Sequence, residues 1–343
     1  MSITPSVAFY NIEQCSMPIY NGNTLYVGGT GEGNYTRIQD AINDANDGDT
    51  IFVYDDSSPY EGFGISDKSV NLVGENKNTT IIDEDVWVRN SNDFSIQGFT
   101  FVGISEDAKS VYFDYCSNFT FYDNIIQVDF SIHCLFIWYC SDVKIFRNHI
   151  KNLYLGSTLV PTWWGVAIWG SQNCIIENNF FVGDITPRIM HLGTGIIISE
   201  GTNITVVHNH ISRCSNAIDI KSNSTNITVV HNHISRCIGG IDILSNSNDI
   251  IIMNNHISRC RVGIEISRAG FVDIIQNNFI LNIRKIKFNL DLKDLFSIFL
   301  DGNYWGRPRI LPKLIFGRIG RFVLFPWFNI DRHPAQEPYD IEV

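Results

Sequence analysis

Three acids pose the first chemical question. Asp219, Asp242 and Glu265 recur every 23 residues, each between two isoleucines, as Ile218-Asp219-Ile220, Ile241-Asp242-Ile243 and Ile264-Glu265-Ile266. In a strand, that alternation turns the isoleucines to one face and the acids to the other. Carboxylates stacked at strand spacing repel one another, and only a bound cation, a basic neighbour or a raised pKa relieves the repulsion. Such a set suits Ca²⁺ coordination through oxygen ligands or general acid/base work on a substrate. The three are therefore candidate catalytic groups and candidate calcium ligands. Arg213, Arg236 and Arg259 recur with the same period and offer a basic column that could pair with them.

The elements that position these acids follow from the repeat itself. Thr202–Cys214 reads TNITVVHNHISRC, Thr225–Cys237 repeats the same letters, and a third copy, NDIIIMNNHISRC, ends at Cys260. Weaker copies share an asparagine, at Asn124, Asn148, Asn178, Asn209, Asn232, Asn255, Asn277 and Asn303, with Phe99 in the equivalent slot of an earlier copy. Short alternating apolar segments separated by Asn, Ser and Gly, with no intervening helix, predict an all-β chain, one coil of a parallel β-helix per repeat and about ten coils in all. The asparagines then form an inward ladder at a turn, each amide bonding to the next. Ile38, Ala41, Ile42 and Ala45 stand at helical spacing and predict a short capping helix near 36–46. The expected organisation is an N-terminal extension over 1–24, coils over 25–305 and an irregular Pro/Arg/aromatic-rich capping tail over 306–343.

With Ile218 and Ile220 inward, the outward column through the acids reads Tyr112, Phe136, Ala167, Ile197, Asp219, Asp242, Glu265, Lys287. Its neighbour reads Asp114, Trp138, Trp169, Ser199, Lys221, Leu244, Ser267, Asn289. One half of this face is aromatic and the other acidic. Flat aromatic faces suit sugar rings, which makes Tyr112, Phe136, Trp138 and Trp169 candidate substrate-binding residues. Two enlarged repeats add 154–165 and 183–194 in the same sector, bringing Trp163, Trp164, Arg188 and His191 as walls of a cleft.

A histidine constellation offers other chemistry. His208 and His231 share one column beside the asparagines, and His210, His233 and His256 share the other. Such imidazoles could converge on Zn²⁺ or Cu²⁺. Duplication accounts for the same regularity without any ligand. Cys214, Cys237 and Cys260 also form a column, read as reduced, partly buried thiols because strand spacing is at or beyond the usual disulfide reach. Asn-x-Ser/Thr sequons at Asn34, Asn78, Asn118, Asn203, Asn223 and Asn226 partly belong to the repeat.

Composition narrows the partners. The chain has 343 residues, 18% charged, with a formal net charge of −11. That balance argues against nucleic acid, which demands a basic surface. No apolar run reaches the length of a membrane span, and no export signal is visible at the N-terminus.

Two stretches carry a family likeness. LYVGGTGEGNYTRIQDAINDANDGDTIFVYDDSSPYEGFGISDKSVNLVGENKNTTIID resembles the opening of right-handed parallel β-helix proteins of the pectin-lyase-like class. The repeats that follow are similar to the carbohydrate-binding and sugar-hydrolase domain and to the NosD-type β-helix of nitrous oxide reductase maturation. The NYWG motif and the PWFNIDRHPAQEPYD tail resemble the endings of archaeal and bacterial surface β-helix proteins. The resemblance implies a right-handed helix, a secreted or cell-surface location and a polysaccharide or glycan partner. Polysaccharide lyase, glycoside hydrolase or uronan epimerase activity is one implication, assisted by Ca²⁺ on an outward strand face. A non-catalytic adhesion module and a transition-metal-binding maturation factor are the others. The Asn-Thr-Asp, Gly-His-Gly, Arg-Ile-Lys and Asp-Pro-His signatures of well-known members are absent, as are a serine nucleophile elbow, a phosphate loop and a dinucleotide fingerprint.

Overall fold

A computed structural model describes residues 22–103, 109–128, 133–152, 164–183, 193–291, 294, 296–319 and 325–341. The chain winds into a right-handed parallel β-helix of about ten turns. Among the described residues three sheets run along it, of twelve, nine and twelve strands. One coil shows why. Thr202–Val207 belongs to the first sheet, His210–Ser212 to the second and Asn216–Lys221 to the third. The two sharp corners fall at His208 and Arg213, both in the left-handed region with φ of 53° and 58°. Such corners cost a non-glycine residue free energy and persist only where the surroundings hold them.

Here the surroundings are the asparagine ladder. Asn209, fully buried, donates through Nδ2 to the carbonyls of Ile176 (2.8 Å) and Val207 (2.9 Å) and to Asn232 Oδ1 (3.0 Å), while its backbone N–H donates to that same oxygen at 2.9 Å. Asn232, Asn255, Asn277 and Asn303 repeat the pattern. The sequence reading needs one correction. The ladder member in the enlarged coil is Asn179, whereas Asn178 takes the left-handed corner at φ 53°. Of two adjacent asparagines only one can enter the core, and the strand phase of Gln172–Glu177 selects the second.

Inside the helix, inward side chains stack coil on coil. Phenylalanines fill the early turns, with Phe94 and Phe119 parallel at 4.8 Å, and isoleucine or valine fills the later ones. Close-packed aliphatic columns of this kind supply most of the burial that offsets the chain's lost entropy.

Both ends are covered. The helix Ile38–Asp44 buries Ile38, Ala41 and Ile42 against the first coil, and Lys68 Nζ donates to the carbonyls of Ile42, Asn43 and Ala45 at 2.7–2.9 Å, closing its C-terminus. The C-terminal tail holds more regular structure than its composition suggests. Lys313–Ile319 extends the third sheet and pairs antiparallel with Phe325–Asp331.

That hairpin delivers Asp331, fully buried, to the end of the ladder. Its Oδ2 accepts from the Asn303 backbone N–H (3.0 Å) and from Trp305 Nε1 (2.9 Å). Asp331→Ala strands both buried donors, so we expect a loss of about 3 kcal/mol, read as a lowered urea midpoint. An unchanged midpoint would remove the hairpin's capping role.

Candidate functional site

The outward face of the third sheet has the register read from the sequence. Tyr112 pairs with Phe136, Phe136 with Ala167, Ala167 with Ile197, Ile197 with Asp219, Asp219 with Asp242, Asp242 with Glu265 and Glu265 with Lys287. The neighbouring column places Trp169 beside Ser199 and Ser199 beside Lys221.

The aromatic half divides in two. Phe136 is only 5% exposed and forms a satellite apolar cluster with Ala167 and Ile197, against which Tyr112, Trp164 and Trp169 pack. Tyr112 lies parallel to Phe136 at 5.5 Å, and burial pushes its phenol up to about 12. Phe136 is therefore floor rather than an open platform. The outward alternation reveals which way a ring points but not what later covers it. Trp138 stays 36% exposed, and beside it Tyr115 and Tyr139 stack at 5.5 Å on the exposed corner. The sequence reading missed this tyrosine pair because both residues sit at turns, outside the strand columns. Trp163, Arg188 and His191 lie outside the described residues.

The acidic half relieves its repulsion internally. Glu265 forms an ion pair with Lys287 in the next coil, and Lys221 Nζ lies 3.9 Å from Asp219 Oδ2 and 5.7 Å from the Trp164 ring. Between them, burial first and then the charges of Glu265 and Asp219 push Asp242 up to about 7. Burial also raises Asp219, opposed by Lys221. The arginine column is not the partner: among the described residues, Arg213, Arg236 and Arg259 form no ion pair and stand exposed at the corner.

In the middle of this face three polar atoms are buried with no hydrogen-bond partner among the described residues: Ser199 Oγ, Asp219 Oδ1 and Asp242 Oδ1. They occupy three consecutive coils. Ser199 is 1% exposed, and its hydroxyl sits between Trp169 and Lys221 in the column. At Gly239 a Cβ would lie 2.7 Å from Asn216 Oδ1 and 2.9 Å from Asp242 Oδ1, so the missing side chain keeps the approach to both oxygens open. Orphaned buried polar groups are costly and rare in native proteins, and they concentrate where a ligand completes them.

The histidine columns stack rather than converge. The histidines of each column stack face to face, His208 on His231 at 5.1 Å, His210 on His233 at 5.1 Å and His233 on His256 at 4.5 Å. Lone pairs lie in the ring plane, so stacked rings direct them side by side rather than toward one ion. Burial, aided by its two stacked neighbours, holds His233 down at about 4, which leaves the middle of the stack uncharged at neutral pH. Among the described residues no group of three His, Cys, Asp or Glu side chains is arranged to hold a metal ion. Asp219 and Glu265 turn their carboxyls toward Lys221 and Lys287.

Known proteins share this architecture. The family model for a right-handed β-helix region matches residues 133–286. The chain has the fold of a right-handed parallel β-helix. Among solved structures, this β-helix is similar to the DFA-IIIase of Arthrobacter chlorophenolicus A6 in complex with GF2, with a TM-score of 0.59 at 14% identity over 82% of this chain and 95% of that one. It is also similar to a mutant tailspike protein of E. coli bacteriophage HK620 in complex with a pentasaccharide, with a TM-score of 0.53 at 11% identity over 78% and 61% of the two chains. At such identities the likeness is one of fold. No curated protein matches the β-helix in sequence. None of its described helices is long and apolar enough to cross a membrane.

Proposed function

We propose that this β-helix engages an extended carbohydrate outside the cytoplasm, along the outward face of its third sheet, with Asp242 as the proton-donating group of a sugar-cleaving or sugar-rearranging reaction. The observation that carries this reading is the row of orphaned atoms, Ser199 Oγ, Asp219 Oδ1 and Asp242 Oδ1, beside Trp164 and Trp169. Sugar hydroxyls both donate and accept hydrogen bonds and sugar CH faces pack on rings, so one ligand class completes every group in the row.

The chemistry follows from the protonation pattern. Asp242, pushed up to about 7, keeps a proton available near neutrality, and Asp219 and Glu265 flank it on the adjacent strands. Strand spacing puts successive coils of this column about 4.8 Å apart, close to the carboxyl separation of retaining glycosidases, about 5–5.5 Å. Asp242 would protonate the departing oxygen, and a flanking carboxylate would meet the developing positive charge on the sugar.

Ser199→Ala tests the site without touching the acids. Removing an orphaned buried hydroxyl is expected to raise stability by about 1 kcal/mol and to weaken oligosaccharide binding several-fold, followed by thermal melting and by titration of tryptophan fluorescence. Turnover on a panel of neutral and acidic glycans, with and without chelator, completes the test, and chelator is expected to have no effect. A Ser199→Ala chain that melts higher yet binds every tested glycan like wild type would take the ligand away from this face. Binding without turnover would leave a recognition module.

A further inference from the structure

The acid column does not end in solvent. Beyond Glu265 the face runs into a groove of 590 Å³ between the last coils and the C-terminal hairpin, lined by Glu265, Arg284, Lys287, Asn289, Phe316 and Arg318 among others. The volume lies within the ordinary range for ligand pockets, about 300–1,000 Å³.

Its electrostatics run against those of the whole chain. The protein carries −11, yet residues 281–320 hold eight lysines and arginines against three aspartates. Arg284 and Arg318 are exposed, and neither makes an ion pair with a described residue. The cations crowd one another: burial, then Arg309, Lys285 and Arg307, push Lys313 below the ordinary lysine value. Like charges held together on an acidic protein lower the cost of binding an anion.

Two further features say what kind of anion. Asn289 Oδ1 is buried in the groove with no partner among the described residues and, being an acceptor, calls for a hydroxyl or N–H donor. Phe316, 70% exposed, presents a ring on the hairpin side. Arginine forks want a carboxylate or sulfate, the asparagine oxygen wants a hydroxyl and the phenylalanine wants an apolar ring face. A free inorganic anion meets only the first need.

We propose that this groove is a subsite for an acidic sugar unit, a hydroxylated ring bearing a carboxylate or sulfate, held by Arg284 and Arg318 and continuous with the carboxyl row. The inference rests on the carbohydrate reading above and adds the substrate class and the end of the face that receives the charge.

The full-length chain would be titrated calorimetrically with a hexuronate oligosaccharide, a sulfated oligosaccharide and the carboxyl-reduced, neutral counterpart of the first, at low and moderate salt. At low salt at least one acidic ligand is expected to bind about 100-fold more tightly than the neutral one, roughly tenfold per arginine, and to weaken with salt. The hexuronate and sulfate arms identify which oxyanion the groove prefers. The Arg284→Met/Arg318→Met double variant, altered only at exposed side chains, is expected to lose that preference while still binding the neutral ligand. An Arg213→Met/Arg236→Met double variant, outside the groove, is expected to keep it. Equal binding of acidic and neutral ligands by wild type overturns the subsite and leaves the carbohydrate reading standing. Equal loss in both double variants would reduce the effect to diffuse charge, and no binding of any ligand would sink both readings together.

Discussion

Asp242→Asn is expected to lower turnover about 10²–10⁴-fold, the usual contribution of a positioned general acid, while making the protein more stable above pH 7. The two effects share one cause. Burial and two flanking acids raise Asp242 from 3.8 to about 7 in the folded chain. Between those values the folded state holds a proton that the unfolded state has released, so stability falls as pH rises through the window and levels off above it. The shift corresponds to an upper bound of about 4 kcal/mol, and asparagine, which matches the shape without ionising, recovers part of it. Urea midpoints at pH 5 and pH 8 check this. The wild-type midpoint should fall between them, and the variant's should fall much less. Parallel slopes for the two chains would mean that Asp242 titrates as an ordinary aspartate, and the acid assignment would fail with it.

Asn232→Ala is expected to cost about 4 kcal/mol, more than removal of any single outward side chain. Asn232 donates to the carbonyls of Val206 and Val230 and to Asn255 Oδ1, and its own Oδ1 accepts from both nitrogens of Asn209. Alanine orphans several buried groups at once. Each broken bond counts for roughly 1 kcal/mol and each stranded polar group for about 1–3, with overlap between them. It also removes the clamp on the left-handed corner at His231, φ 55°. Asn226→Ala is the contrast: that exposed amide donates to Asn203 Oδ1, and alanine at its own left-handed corner, φ 54°, should cost no more than about 1–2 kcal/mol. Chemical denaturation of both variants decides the matter, and a ladder variant no weaker than Asn226→Ala would contradict the mechanism.

The third-sheet face was legible because its logic is local. Ile218 and Ile220 fix which way Asp219 and Lys221 point, and a 23-residue period fixes their neighbours, so both outward columns could be written down from letters alone. What escaped was decided by relations between columns or by distant chain. Lys221 and Lys287 were in view, but their reach to Asp219 and Glu265 depends on side-chain conformation. The burial of Phe136 depends on what lies over the face. The slip from Asn179 to Asn178 arose because two adjacent asparagines satisfy the same pattern and only strand phase separates them. Asp331 closes the ladder from 28 residues beyond Asn303, a distance at which no periodicity speaks. The histidine columns were also read correctly as columns. Their face-to-face stacking is a matter of ring orientation, which sequence does not carry.

The duplicated coil has a consequence for how the chain folds. Thr202–Cys214 and Thr225–Cys237 offer the same side chains to whichever strand arrives next. A chain that docks one copy in the other's place keeps its inward columns filled and expels a single coil as a loop, at an entropic cost that grows only slowly with loop length. Such a slipped stack is a trap, because escape requires unzipping strands that are already well packed. What distinguishes the native partner is the stretch where the copies diverge, Asn216–Lys221 against Gly239–Leu244. Asn216, Ala217 and Lys221, set against Gly239, Gly240 and Leu244, therefore also identify each coil during assembly.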